Sequence, residues 1–143
     1  MHLRRIDDSI SVSPQIAPQD MAALAAQGFV AVINNRPDDE EPGQPGSAEM
    51  HAAATAAGLG YTAIPITHAG FSHPQIDAMA QALAAADGPV LAYCRSGTRS
   101  CNLWALAAAK GGGDPAELTA KGEAAGYDLS GLRPLLDALS GRG

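Results

Sequence analysis

The chain predicts an α/β fold: a central, mostly parallel sheet of about four to five strands flanked by helices. Three observations carry this. Short runs rich in β-branched residues alternate with Ala- and Leu-rich stretches along the chain. The run from Phe29 to Ile33 is apolar without a break, as in a strand covered on both faces. Gly or Pro punctuates most of the junctions, and no internal repeat appears.

In chain order, 3–6 and 9–13 suit a small β-hairpin feeding the sheet. Residues 18–27 predict a helix, with Pro18 in its first turn, Met21 and Leu24 on one face, and Gly28 as its stop. Residues 29–34 are a buried strand. The polar loop 35–46 is long for an α/β connection and suits a binding or covering role. A helix over 47–57 follows, with Ser47 as its expected N-cap and Gly58 as its end. Residues 61–66 are the next strand, and 67–71 a loop.

Ser72 then caps a helix with Pro74 near its start, and Ile76, Met79, Ala80 and Leu83 fall at the spacing that faces the sheet. After the Asp87-Gly88 turn, residues 89–93 form the clearest strand, which runs straight into Cys94. Residues 101–110 form a helix whose Leu103, Leu106 and Ala107 mark the buried face. One helix capped by Asp114-Pro115 and another around 132–139 complete a single domain over residues 1–143.

Composition narrows the function. Nine Lys and Arg against fifteen Asp and Glu leave a formal charge of −6, which argues against nucleic acid or an anionic membrane as main partner. No apolar run reaches the roughly 18 residues that span a bilayer, and the first eight residues lack a signal-peptide core, so the expected location is cytoplasmic. Cys94 and Cys101 are too few for a disulfide scaffold. The histidines, at 2, 51, 68 and 73, lack metal-ligand spacing, so neither metal nor cofactor is expected.

The chemistry gathers after the clearest strand. A thiol at a strand's end, then a glycine-bearing turn, then a helix, is an arrangement in which backbone N–H groups converge on one point. Helix N-termini and nearby cations stabilise a thiolate over a thiol, so Cys94 is the expected nucleophile. Arg95 and Arg99 offer planar forks for an oxyanion such as thiosulfate, sulfate or phosphate. Gly97 lets the backbone turn with its N–H inward, and the hydroxyls of Ser96, Thr98 and Ser100 can bond the thiolate or the loop. An inert buried cysteine needs none of this. Cys101 is either a resolving thiol or, the favoured reading, a small apolar residue on the helix's buried face; Trp104 is expected in the core.

Cys94-Arg95-Ser96-Gly97-Thr98-Arg99 resembles the active loop of rhodanese sulfurtransferases, and, one residue short, the Cys-x5-Arg-Ser/Thr loop of tyrosine and dual-specificity phosphatases. With the segments 34–38, 41–45 and 91–100, nearly the whole chain is similar to one bacterial family, the phosphatase-like domain of beta-lactamase hydrolase-like proteins. The resemblance implies a dual-specificity-phosphatase-like fold and a role in sulfide handling. It also implies a persulfide dioxygenase or sulfide oxidoreductase as partner, since such domains occur fused to these enzymes. The chain carries no His-x-His-x-Asp-His metal motif and would be the stand-alone domain.

Two departures from the phosphatase pattern order the expectations. Four residues, not five, separate Cys94 from Arg99, a smaller cradle that suits a persulfide sulfur. The loop 66–70, where dual-specificity enzymes keep their acid, has no carboxylate. Phosphate-ester hydrolysis needs a proton donor for the leaving group, whereas sulfite leaves unaided. The expected reaction is therefore sulfur transfer through a Cys94 persulfide, with Cys94 and Arg99 catalytic and Arg95, Ser96, Gly97, Thr98 and Ser100 binding the oxyanion. The substrate would be a small oxyanion or a persulfide.

The alternative is phosphoester hydrolysis through a phosphocysteine, with His68 or one of Asp38, Asp39, Glu40 and Glu41 as acid; the bland reading of that acidic run is a solvated loop. A third reading is a silent oxyanion-binding domain. Arg36, just past a strand's carboxyl end, either points at the same crevice or is an ordinary surface arginine.

Overall fold

β5 (Val90–Tyr93) runs through the middle of a five-stranded sheet of order β1-β2-β5-β3-β4. It pairs in parallel with β2 (Ile10–Ser13) on one side and β3 (Ala31–Asn34) on the other. Edge strand β4 (Gly60–Ala63) runs parallel to β3, and β1 (Arg4–Arg5) closes the opposite edge antiparallel to β2, as the predicted hairpin. The computed structural model describes residues 1–141; the end of the unit expected over 1–143 lies outside the described residues.

The two-residue period of a strand explains why β5 is apolar at every position. Val90 and Ala92 join the core on one face, with Ile10, Val12 and Ile33, while Leu91 and Tyr93 join the other with Val32. Helices α1 (Met21–Ala26) and α2 (Ser47–Ala56) cover this second face with Met21, Leu24, Met50 and Ala54. Helices α3 (His73–Ala85), α4 (Thr98–Lys110), α5 (Pro115–Ala124) and α6 (Arg133–Ser140) cover the first. Of these α4 is central: it packs against α3, α5 and α6, and its Leu103, Trp104 and Leu106 are buried. Each buried leucine contributes roughly 1.5–3 kcal/mol.

Several expectations need correction. The predicted helix over 18–27 is a 3-10 turn, Pro18–Asp20, followed by α1. The strand expected from Phe29 begins at Ala31, because the Phe29 N–H is taken by the Leu24 carbonyl in the turn that ends α1. The strand expected over 61–66 stops at Ala63, since Pro65 has no N–H to give; Ile64 and Ile66 still donate to the carbonyls of Asn34 and Asn35. Ser47 is not the N-cap of α2 but its first residue: Gly46 takes that place, and Asp38 Oδ1 accepts the Ser47 N–H at 2.8 Å. Ala80 is exposed, because α3 leans on α4; Ala78, Ala82 and Leu83 make the contact beside buried Ile76 and Met79. Ser72 caps α3 and Asp114 caps α5 as expected. Among the described residues no helix is long and apolar enough to cross a membrane.

Candidate active site

The segments that follow the parallel strands β3, β4 and β5 open onto one crevice, the usual place for a ligand in such a sheet. Cys94, fully buried, is the first residue past β5, and its N–H reaches the Ser13 carbonyl at the end of β2, 3.4 Å away. From there the chain turns through Arg95 and Ser96 to Gly97, which precedes α4 with φ +92° and donates its N–H to Cys94 Sγ at 3.1 Å. The first N–H groups of a helix have no partner within it, so this one is free to face the sulfur. The Gly97 carbonyl meanwhile accepts the Cys101 N–H at 2.9 Å and starts the helix. Ser96 Oγ donates to Thr98 Oγ1 and accepts the Thr98 N–H, so these two side chains tie the loop to itself.

Arg99, in the first turn of α4, is braced on two sides. Its Nη1 donates to the Ile66 carbonyl at 2.7 Å and to Glu40 Oε2 at 2.8 Å, and its Nη2 donates to Glu40 Oε1 at 2.8 Å. These bonds to Glu40, with the nearby Cys94 sulfur, push the guanidinium pKa up against the opposing effect of burial. Glu40 in turn accepts from Arg36 Nε at 2.9 Å, and the Arg99 bonds first, then those from Arg36, lower its pKa from 4.5 to about 2 against the opposing effect of burial.

Arg36 is neither free in the crevice nor a surface residue. Its side chain is buried behind Glu40, with Nη1 donating to Gln15 Oε1 at 3.1 Å and Nη2 3.3 Å from Glu41 Oε1, a charge contact without hydrogen-bond alignment. The acidic run is exposed at all four positions, as its bland reading expected, but Glu40 is set apart as an anion between two arginines, and Glu41 lies 3.8 Å from Arg95 Nη2.

The remaining candidates divide. Arg95 is two-thirds exposed at the rim of a cleft of about 750 Å³ that Ser96, Arg99, His68, Thr67 and Phe71 also line. His68 is exposed there, on a loop closed by the Thr67 and Gly70 backbones. Asp38 is occupied at the start of α2 and is not drawn to the sulfur. Ser100 is buried, and its hydroxyl donates to Asn35 Oδ1 at 2.8 Å. Asn35 Nδ2 passes the connection to the Ile64 carbonyl, so Ser100 ties α4 to the strand ends and does not bond the thiolate.

Cys101 is a buried apolar residue, its thiol pushed up to about 12 by burial first and by Cys94 second. Tyr93 is buried too, and burial pushes its phenol up. Gln15 and Asn35, neither expected in the site from the sequence, complete its scaffold; Asn35 directly follows the end of β3 and Gln15 lies two residues past β2, the one signal that marked them. Among the described residues no group of three or more His, Cys, Asp or Glu could hold a metal ion.

Comparison with known proteins places these features in context. A family model described as beta-lactamase hydrolase-like protein, phosphatase-like domain, matches residues 2–111. A beta-lactamase hydrolase-like protein of Agrobacterium fabrum is 40% identical over 126 residues, 87% of this chain and 29% of that protein. One from Xylella fastidiosa is 37% identical over 130 residues, 90% of this chain and 30% of that protein. The chain therefore spans about three-tenths of the length of these relatives.

Among solved structures, a candidate phosphatase from Neisseria meningitidis shares 34% identity at a TM-score of 0.83, covering 97% of this chain and 99% of that one. Tk-PTP in its active form, 19% identical with a TM-score of 0.72 over 99% and 97% of the two chains, shares the fold. The expected dual-specificity-phosphatase-like architecture is thus the observed one. The comparisons favour the phosphatase side of the sequence expectation over sulfur transfer.

Proposed function

We propose, for a chain that belongs to the family of the beta-lactamase hydrolase-like protein phosphatase-like domain, that Cys94 is the nucleophile of a phosphoester hydrolase working through a phosphocysteine. One observation carries the reading. A sulfur that receives the Gly97 N–H lies at the base of a loop whose far end, Arg99, is held by Glu40 and the Ile66 carbonyl before any substrate arrives. A guanidinium fixed in advance costs no reorganisation when charge develops on the transferred group. The name of the 34% identical neighbour supports the same reading.

In the first step Cys94 Sγ forms a bond to phosphorus as the ester P–O bond breaks, and the leaving oxygen takes up a proton. Water then attacks the phosphocysteine, releasing inorganic phosphate and restoring the thiolate. The proton donor is His68, the titratable side chain on the cleft-lining loop that is neither a permanent cation nor tied to one. Glu40 is ionised down to about pH 2 and does not serve. Arg95 and the loop N–H groups bind the phosphoryl oxygens.

A specific observation favours a second reading, sulfur transfer. The cradle has four residues between Cys94 and Arg99, and among the described residues the carboxylate that lines the cleft, Glu40, is committed to Arg36 and Arg99. Here Cys94 Sγ attacks the outer sulfur of thiosulfate, the S–S bond breaks, and sulfite leaves with the electron pair. The resulting persulfide passes its sulfur to a thiol or to cyanide; in the cell a persulfide dioxygenase would be a fitting consumer.

Two assays on the reduced protein and its Cys94→Ser variant separate the readings. Cys94-dependent release of phosphate from an aryl phosphate, with no sulfur adduct after thiosulfate, supports hydrolysis. A mass gain of one sulfur that cyanide removes, without phosphate release, overturns it in favour of sulfur transfer. Neither activity would leave an oxyanion-binding domain.

A further inference from the structure

Tyr127 follows α5, beyond the stretch that the family model matches, and is attached to a loop thirty residues earlier in the chain. Its hydroxyl donates to the Ser96 carbonyl at 3.3 Å. The N–H of the same peptide unit, that of Gly97, donates to Cys94 Sγ at 3.1 Å. In a planar trans peptide the carbonyl and the N–H point in opposite directions, so a bond that fixes one outward fixes the other inward.

Gly97 adds a second, steric link. At φ +92° a side chain is strained, and a Cβ there would fall on the Tyr127 hydroxyl and lie 3.3 Å from the Ser13 carbonyl carbon. The phenol ring fills the space that the glycine leaves. From behind, the Arg4 guanidinium lies 5.7 Å from the ring centroid and bonds the Ala125 carbonyl at 3.1 Å, while the Tyr127 N–H bonds the Gly122 carbonyl at 2.9 Å. Partial burial pushes the phenol pKa up, so it remains a proton donor.

We propose that Tyr127 is a positioning residue for the nucleophile: its hydroxyl holds the Ser96–Gly97 peptide so that the Gly97 N–H faces Cys94 Sγ. The inference stands whether the group transferred is phosphoryl or sulfur, because it concerns the sulfur before substrate binds. Among the ionisable groups whose proton affinity Cys94 shifts are Arg99 and Cys101 from α4, and Tyr127 itself. Replacing the hydroxyl alone leaves the other two in place.

The test is Tyr127→Phe in the full chain, read by the rate at which iodoacetamide alkylates Cys94 across pH 5–9, with the site confirmed by peptide mass. The Phe variant is expected to fold as the parent does. Its alkylation midpoint should move to higher pH, and at pH 6 the rate should fall about threefold or more. A folded Phe variant with the parent's pH profile overturns the proposal. Tyr127→Leu removes the ring as well: a profile shifted by Leu but not by Phe would assign the effect to packing and likewise overturn it. Equal shifts in both variants support it, and if the Leu variant does not fold, the Phe profile decides alone.

Discussion

Cys94 and Cys101 stand seven residues apart and are equally buried, yet their surroundings make opposite demands on the sulfur. Cys101 lies inside α4, where the backbone N–H groups are spent on the helix itself, and its side chain belongs to the apolar core with Leu129 beside Gly122. Burial there disfavours the charged form, and the thiol is pushed up to about 12. Cys94 lies just ahead of the same helix, where an N–H without a helical partner turns to the sulfur and a guanidinium stands within its electrostatic reach. Burial alone does not make a cysteine inert. Its position relative to the first turn of the helix decides.

The largest effect should come from Cys94→Ser, which is expected to lower turnover of whichever substrate proves active by about 10³-fold or more with the fold retained. Steady-state rates with a circular dichroism control measure this. Turnover that persisted, carried by Cys101, would erase the contrast between the two thiols.

Next is Arg99→Lys, which keeps the charge but loses the fork shared between Glu40 and the Ile66 carbonyl. A fall of about 10²-fold in kcat/KM is expected.

Glu40→Gln should be milder in rate, about tenfold, because it loosens Arg99 without removing it. It should also cost about 2 kcal/mol at neutral pH, since buried Arg36 loses its closest anionic partner, as urea denaturation would show. The sign of the pH effect follows from the depressed carboxyl. Glu40's stabilisation is fully present above about 4.5 and is lost as pH falls toward about 2, so the parent loses this contribution over that window and the Gln variant does not.

The smallest effect belongs to Cys101→Ala. Turnover should stay within about twofold, the melting temperature should drop slightly, and native alkylation should still label one residue, Cys94.

Much of this was legible in the chain, and the reason is local. The strand before Cys94, the Gly97 turn and the helix after it are set by neighbours in sequence, so pattern alone located the loop and the order of elements around it. The roles of Arg36, Glu40 and Ser100 were not legible, because each depends on a partner that the fold delivers from elsewhere: Arg99 for Glu40, Gln15 for Arg36, Asn35 for Ser100. An acidic run in a loop usually means solvent, and nothing local marks the one carboxylate that two arginines will claim. Tyr127 was hidden for the same reason, thirty residues from the peptide it holds. The helix expected from Cys101 begins at Thr98, because Gly97 turns the chain directly into it; at α2 the expected cap Ser47 is the first helical residue, its N–H taken by distant Asp38.

The placing of β5 at the centre of the sheet fixes the order in which the molecule can come apart. Its amides are shielded by a strand on either side, whereas β1 and β4 each have an open edge. Under native-state hydrogen exchange the edges should therefore trade their protons first, by fraying, and Val90–Tyr93 last, by opening of the whole domain. The nucleophile, one residue past Tyr93, is thus anchored to the strand expected to exchange last.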